Sequence, residues 1–341
     1  MYKDALKEAL WWEKTDNDKI LCTLCPRYCK IGKGQPGFCF IRQNHEGVLY
    51  TLGYGHPTGF AIDPIEKKPL SHVLPGTSIL SFGTAGCNLG CKFCQNWSIS
   101  KAKLDELNSL NSSPEYVIAL AKKYAVPSIA YTYNDPTIFG EYVIDISKIG
   151  REEGIKSVMV TAGYIDKKAR KDIYKYIDAA NVDLKGFTEK FYHKLTVSHL
   201  ADVLDTLFWL KHETNVWFEI TTLLIPGEND SPEEIKNECD WILNNLGDSV
   251  PLHFTAFHPD FKMLNKERTS ENTLIMARNI AIDEGIKFCY VGNVHNIEGQ
   301  TTYCPNCIAK LITRDWHSVR SNRLNGGNCP ECGTQIPGVF N

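Results

Sequence analysis

Eleven of the thirteen cysteines in this chain fall into three tight groups, and no other feature restricts its fold as strongly. Cys22, Cys25, Cys29 and Cys39 form the first group, Cys87, Cys91 and Cys94 the second, and Cys304, Cys307, Cys329 and Cys332 the third. If the thiols of a group act together, each group pins a local fold. Cys239 lies in a helical pattern and Cys289 in an apolar strand, and both read as packing thiols. The cysteine count is odd and the chain is 341 residues long. Metal–thiolate chemistry therefore outranks disulfides.

Between the second and third groups, short apolar runs alternate with amphipathic stretches. Strands are predicted at 78–83, 128–133, 157–161, 180–184, 216–224, 252–256 and 288–291, with helices in most of the gaps. Two helices open with a Ser-x-x-Glu capping box, Ser112 with Glu115 and Ser231 with Glu234, each with proline beside the first turn. Repeated strand–helix units imply an α/β fold with a parallel sheet, open or closed into a barrel. Its chemistry collects at the C-terminal strand ends, where the middle cysteines sit. The start, MYKDALKEAL, reads as an N-terminal helix and not as the apolar core of an export signal. With no apolar run of membrane-spanning length, the expectation is a cytoplasmic protein without a membrane partner. A net charge of -3 removes any global basic field, so nucleic acid is not expected as a partner.

The third group reads Cys-Pro-Asn-Cys, a spacer, then Cys-Pro-Glu-Cys, which is the layout of a tetrahedral four-thiolate zinc site. About forty residues bury little core, so the metal is expected to stabilise this zinc-ribbon-like module. Arg314, His317, Arg320 and Arg323 in the spacer read as a solvated loop. The first group also supplies four thiolates in a short Gly- and Pro-punctuated stretch. Either zinc or an iron–sulfur cluster suits it, with the reading inclined to zinc.

With both outer groups complete, the middle trio has no fourth cysteine. A cubane cluster bound by three cysteines leaves one iron open to a non-protein ligand. The spacing Cys87-x3-Cys91-x2-Cys94, with Phe93 before the last cysteine, resembles the signature of radical S-adenosylmethionine (SAM) enzymes. The resemblance implies a [4Fe–4S] cluster on these cysteines whose open iron chelates SAM. Reductive cleavage then gives a 5′-deoxyadenosyl radical that abstracts hydrogen from a substrate.

Later strand ends extend the resemblance. Tyr133-Asn134-Asp135-Pro136 is similar to the family's Gly-Gly-Glu-Pro segment, with Tyr133 and Asn134 in place of the glycines and Asp135 in place of glutamate. Thr161-Ala162-Gly163 resembles Thr-Asn-Gly, and Asp183-Leu184-Lys185 resembles the Asp-Leu-Lys of glycyl-radical activating enzymes. His258 stands where a histidine near the cofactor ribose is expected, and Val291 on the adenine-contacting strand. Phe93, Asn134, Asp135, Thr161, Asp183, Lys185, His258 and Val291 are thus the implied cofactor-binding residues. Tyr131, Tyr133, Tyr164 and the loop 63–70 are candidate pocket elements.

The resemblance spans residues 63–296. It is closest to the AmmeMemoRadiSam system radical SAM enzymes, a subgroup similar to pyruvate formate-lyase activating enzymes, through Leu24-Cys25-Pro26-Arg27, Cys94-Gln95-Asn96-Trp97 and Val291-Gly292-Asn293-Val294. It implies a partial (β/α)6 TIM-like barrel at 76–298. Residues 1–75 form the N-terminal helix and four-cysteine segment packing on the barrel, and 299–341 the zinc module. The expected function is radical SAM chemistry on an unidentified substrate, a protein or peptide among the candidates, with ferredoxin or flavodoxin as electron donor. Activation of a glycyl-radical enzyme is the first alternative and a non-catalytic metal scaffold that binds a partner the second.

Overall fold

The computed structural model describes residues 6–16, 19–107 and 109–340. The chain forms two compact units, one of residues 1–62, 79–178 and 195–198, the other of residues 63–78, 179–194 and 199–341.

The first unit is built on β1 (Ser78–Gly83), β2 (Ser128–Tyr131) and β3 (Lys156–Thr161). They pair in parallel, Leu80 beside Ile129 and Lys156 beside Ser128. Ile79, Leu80, Phe82, Ile129, Ala130 and Val158 are all fully buried. Both faces of these strands are covered, so they read as continuous apolar runs and not as alternating ones. Helices α1 (Pro114–Lys123), α2 (Gly140–Glu152) and α3 (Lys167–Tyr174) follow the successive strands. The cap of α1 is Ser113 and not the predicted Ser112, for it is Ser113 Oγ that accepts the Tyr116 amide, at 3.3 Å. The Ser112 carbonyl instead accepts the Tyr142 hydroxyl.

The predicted N-terminal helix is not present among the described residues. Lys7–Glu8 is a strand paired antiparallel with Val48–Thr51, and Trp12–Lys14 pairs with Ile20–Cys22; residues 1–5 lie outside the described residues. Tertiary pairing overrides a weak local helix preference here. A buried ion pair ties the segment down: Arg42 Nη1 lies 3.0 Å from both oxygens of Glu141 on α2, and Glu141 also accepts the Leu10 amide at 2.7 Å.

The second unit carries β4 (Ala179–Asp183), β5 (Trp217–Leu224), β6 (Leu252–Ala256) and β7 (Cys289–Gly292), paired in parallel in that order. Helices α4 (Leu200–Glu213), α5 (Pro232–Leu246) and α6 (Glu271–Glu284) separate them. Ser231 caps α5 as predicted, accepting the Glu234 amide. Cys239 and Cys289 are buried on α5 and β7, as packing thiols should be.

The C-terminal module is an antiparallel sheet of Thr302–Tyr303, Lys310–Asp315 and Ser318–Asn322. Its core is not its own: Leu311, Ile312 and Ile336 pack with Phe288 and with Tyr290 of β7. Arg314, expected in a solvated loop, is instead buried, with Nη2 on the Ser71 carbonyl and Nη1 2.8 Å from Thr302 Oγ1. Arg320 and Arg323 do face solvent and pair with Asp315 and Glu331. No helix among the described residues is long and apolar enough to cross a membrane.

Candidate active site and metal centres

β1 ends at Gly83, and the chain runs directly into the three-cysteine loop. Short backbone bonds shape this loop. The Gly90 and Lys92 amides donate to the carbonyls of Thr196 and Leu195, and Lys101 Nζ donates to the Leu89 carbonyl at 2.6 Å. Gly86 adopts φ +81°, and a Cβ there would stand 1.9 Å from the Cys39 carbonyl oxygen. Only glycine fits at that crossing.

Cys91 is buried, while Cys87 and Cys94 are partly exposed. Cys87 Sγ accepts the Leu89 amide at 3.5 Å, and Cys94 Sγ lies 3.2 Å from Ser100 Oγ. Burial, and then the nearby Asp135 carboxylate, push the Cys87 thiol up. A bound cation would compensate the charge of its thiolate. Among the described residues, the set of three or more ligating atoms lying within 4.8 Å of one another is the C-terminal group, and the trio forms no such set. Three thiols on one loop, spaced too widely for a single ion and lacking a fourth, fit a cluster with an open iron.

Three predicted residues of the first unit meet behind this loop. Asn134 donates to the Gly86 carbonyl at 2.7 Å and accepts the Thr84 amide, bracing the loop from β2. Tyr133 takes φ +71°, the left-handed conformation that the family's glycine pair would supply without strain. Asp135 lies at the β2 end and Thr161 at the β3 end. Thr161 Oγ1 donates to the Asp135 carboxylate at 3.1 Å, and the amides of Ala162 and Thr137 donate to it at 2.8 and 3.0 Å. Burial raises the Asp135 pKa, and these bonds oppose the rise. Asp135 therefore locks two strand ends together and caps the turn at Pro136–Phe139. Phe93 is buried beside the cysteines. Tyr131 is a core residue, its hydroxyl on Ser147, so packing accounts for it.

In the second unit, Lys185 Nζ pairs with Asp183 at 2.8 Å where β4 ends, and Asn229 holds the Lys185 carbonyl. His258, after β6, is half exposed and 3.8 Å from Asp260. Val291 lines a solvent-open cleft together with His253, Thr255, Lys67 and Arg314. Near it lies a buried network that the sequence reading missed. Glu219 on β5 accepts the amides of Ser71 and His72 and His253 Nε2, all within 2.8 Å. Burial would raise this carboxyl, but the His253 bond, the charges of His253 and His72 and the Ser71 amide hold it below the usual range. A lone acid in the apolar run Trp217–Leu224 was the available signal.

The C-terminal thiols form a closed set. Cys304 and Cys332, and likewise Cys307 and Cys329, lie 3.6 Å apart, and all four sulfurs fall within 4.8 Å. Tetrahedral zinc–sulfur bonds of about 2.3 Å require sulfurs about 3.8 Å apart. The set therefore has the size of a single-ion site. Hydrogen bonds from Thr334 hold the Cys332 thiol below its ordinary range. The N-terminal thiols line one cavity with Arg27, Arg42 and Asn88. Burial pushes Cys25 and Cys29 up and takes Cys39 to about 12.

Comparison with known proteins agrees with the trio's chemistry. Residues 82–239 match the family described as the Radical SAM superfamily. An uncharacterized protein of Methanocaldococcus jannaschii is 43% identical over 333 residues, covering 97% of this chain and 99% of its own. The pyruvate formate-lyase-activating enzyme of Clostridium pasteurianum is 25% identical over 180 residues, 51% of this chain and 72% of its own. A radical SAM methyltransferase structure from Sphaerobacter thermophilus superposes with a TM-score of 0.50 at 17% identity, over 64% of this chain and 66% of that one, a likeness of fold. The chain belongs to the radical SAM superfamily and is an enzyme of that family.

Proposed function

We propose that this enzyme reductively cleaves SAM at a [4Fe–4S] cluster held by Cys87, Cys91 and Cys94 and abstracts a hydrogen atom from its substrate. The observation that carries this reading is the trio itself: three thiols on a loop at the end of β1, open in spacing and without a fourth. When bound, the cluster supplies one electron and SAM supplies the 5′-deoxyadenosyl radical.

The chain's own residues hold the geometry. Asn134 and the Gly86 crossing fix the loop, and Asp135 fixes Thr161 and the Ala162 amide. Lys185 and Asp183, paired with each other at the end of β4, are the proposed contacts to the amino acid moiety and would exchange that pairing for its charges. His258 and the apolar Val291 are the proposed ribose and adenine contacts, and Phe93 is buried next to Cys94 in the chain.

The test is electron paramagnetic resonance (EPR) of the reduced, reconstituted protein with and without SAM. A shifted cluster spectrum on SAM addition is expected. An unchanged spectrum with the cluster fully loaded would favour the metal-scaffold reading. The activating enzyme of C. pasteurianum among the relatives motivates a second reading, activation of a partner enzyme. That reading predicts a stable glycyl-radical signal when the protein is incubated with SAM, reductant and the right partner.

A further inference from the structure

We propose that Cys22, Cys25, Cys29 and Cys39 bind a second [4Fe–4S] cluster, which passes single electrons to the three-cysteine loop. The electron-transfer half rests on the proposed function; the identity of the metal does not.

The first argument is size. A zinc ion draws four sulfurs to within about 4 Å of one another, whereas a cubane holds its four cysteines at its corners, farther apart. The C-terminal set shows the first geometry, with sulfur pairs at 3.6 Å. Among the described residues, no three of the N-terminal sulfurs lie within 4.8 Å of one another, which is also true of the radical-motif trio. One chain thus displays a closed set and two open ones, and the N-terminal set groups with the trio.

The second argument is that the four open thiols face shared space. All four line one solvent-open cleft. Leu24, Ile31 and Ile138 form apolar walls, and Arg27 brings positive charge beside a group that would be anionic when four thiolates bind it, while the Arg42 charge is already taken by Glu141.

The third argument is position. Gly86 leaves the Cys39 carbonyl no space for a Cβ, so the backbone of the last N-terminal ligand touches the residue before Cys87. Arg27, between Cys25 and Cys29, donates through Nε to the carbonyl of Asn88, the residue after Cys87. Asn88 also lines the N-terminal cavity. The two cysteine sets therefore meet on both sides of Cys87. One electron arrives from a low-potential iron–sulfur or flavin carrier protein and reduces the second cluster by one. That cluster returns to its oxidised state as the electron moves on, and no bond forms or breaks.

Metal analysis and EPR test the proposal on the full chain. Wild-type protein reconstituted anaerobically with iron and sulfide, in the presence of zinc, should hold about eight irons and one zinc. The Cys87→Ala/Cys91→Ala/Cys94→Ala variant should keep about four irons and an EPR signal on reduction. About four irons and two zincs in the wild type would overturn the assignment without need of any variant. Reduced wild type should also give a spectrum broadened by spin–spin coupling. A spectrum equal to the sum of those of the triple variant and Cys29→Ser would overturn the electron-transfer half.

Discussion

Gly86 shows how one residue can hold two sites together. Its positive φ and the 1.9 Å approach a Cβ would make to the Cys39 oxygen act on the same atom. Gly86→Ala is expected to cost about 2 kcal/mol or more, because backbone strain and overpacking add and the obstacle is backbone. The urea midpoint measures it, and iron content should fall with it. The sequence announced the cysteines by spacing alone, but not this crossing, because 47 residues separate the partners and nothing local marks them. Asp135 was legible as a strand-end acid. That its oxygens would take the Thr161 hydroxyl and two amides was not, since those donors arrive with another strand and the following turn.

The parallel strands were the most legible elements. Strands buried on both faces must be apolar, and 78–83 and 252–256 were read to the residue. The N-terminal strands were missed because pairing with Val48–Thr51 and with Ile20–Cys22 decides them, not their own periodicity. The polar side of β5 and β6 was hidden for a similar reason: Glu219 and His253 make sense only with the 71–72 amides in place. His72 completes that cluster, its Nδ1 2.6 Å from the Pro337 carbonyl and its Nε2 2.7 Å from the Tyr290 hydroxyl. Burial lowers its pKa from 6.5 to about 4. The unfolded chain therefore takes up a proton before the folded one does as pH falls from 6.5. Stability should decline through the window from 6.5 to about 4, by up to about 1.4 kcal/mol per pH unit from this group. Denaturation midpoints across that window should show a shallower decline in His72→Gln than in the wild type. The C-terminal element carries a closed four-sulfur set of single-ion size. With a metal ion held by this set, Cys307→Ala is expected to lower the metal content and the thermal midpoint by about 5 °C or more, because the closed turn would hold Leu311 and Ile312 against Tyr290.

Across the whole molecule, the cysteine groups fall into three chemical settings: a closed four-sulfur set, a cavity ringed by four thiols, and a trio without a fourth. Conversion of SAM to 5′-deoxyadenosine tests the central claim about the trio most directly. The anaerobically reconstituted protein, with dithionite and SAM, should release 5′-deoxyadenosine, and Cys91→Ala should fall to the protein-free background. Full cleavage activity retained in Cys91→Ala would contradict the account.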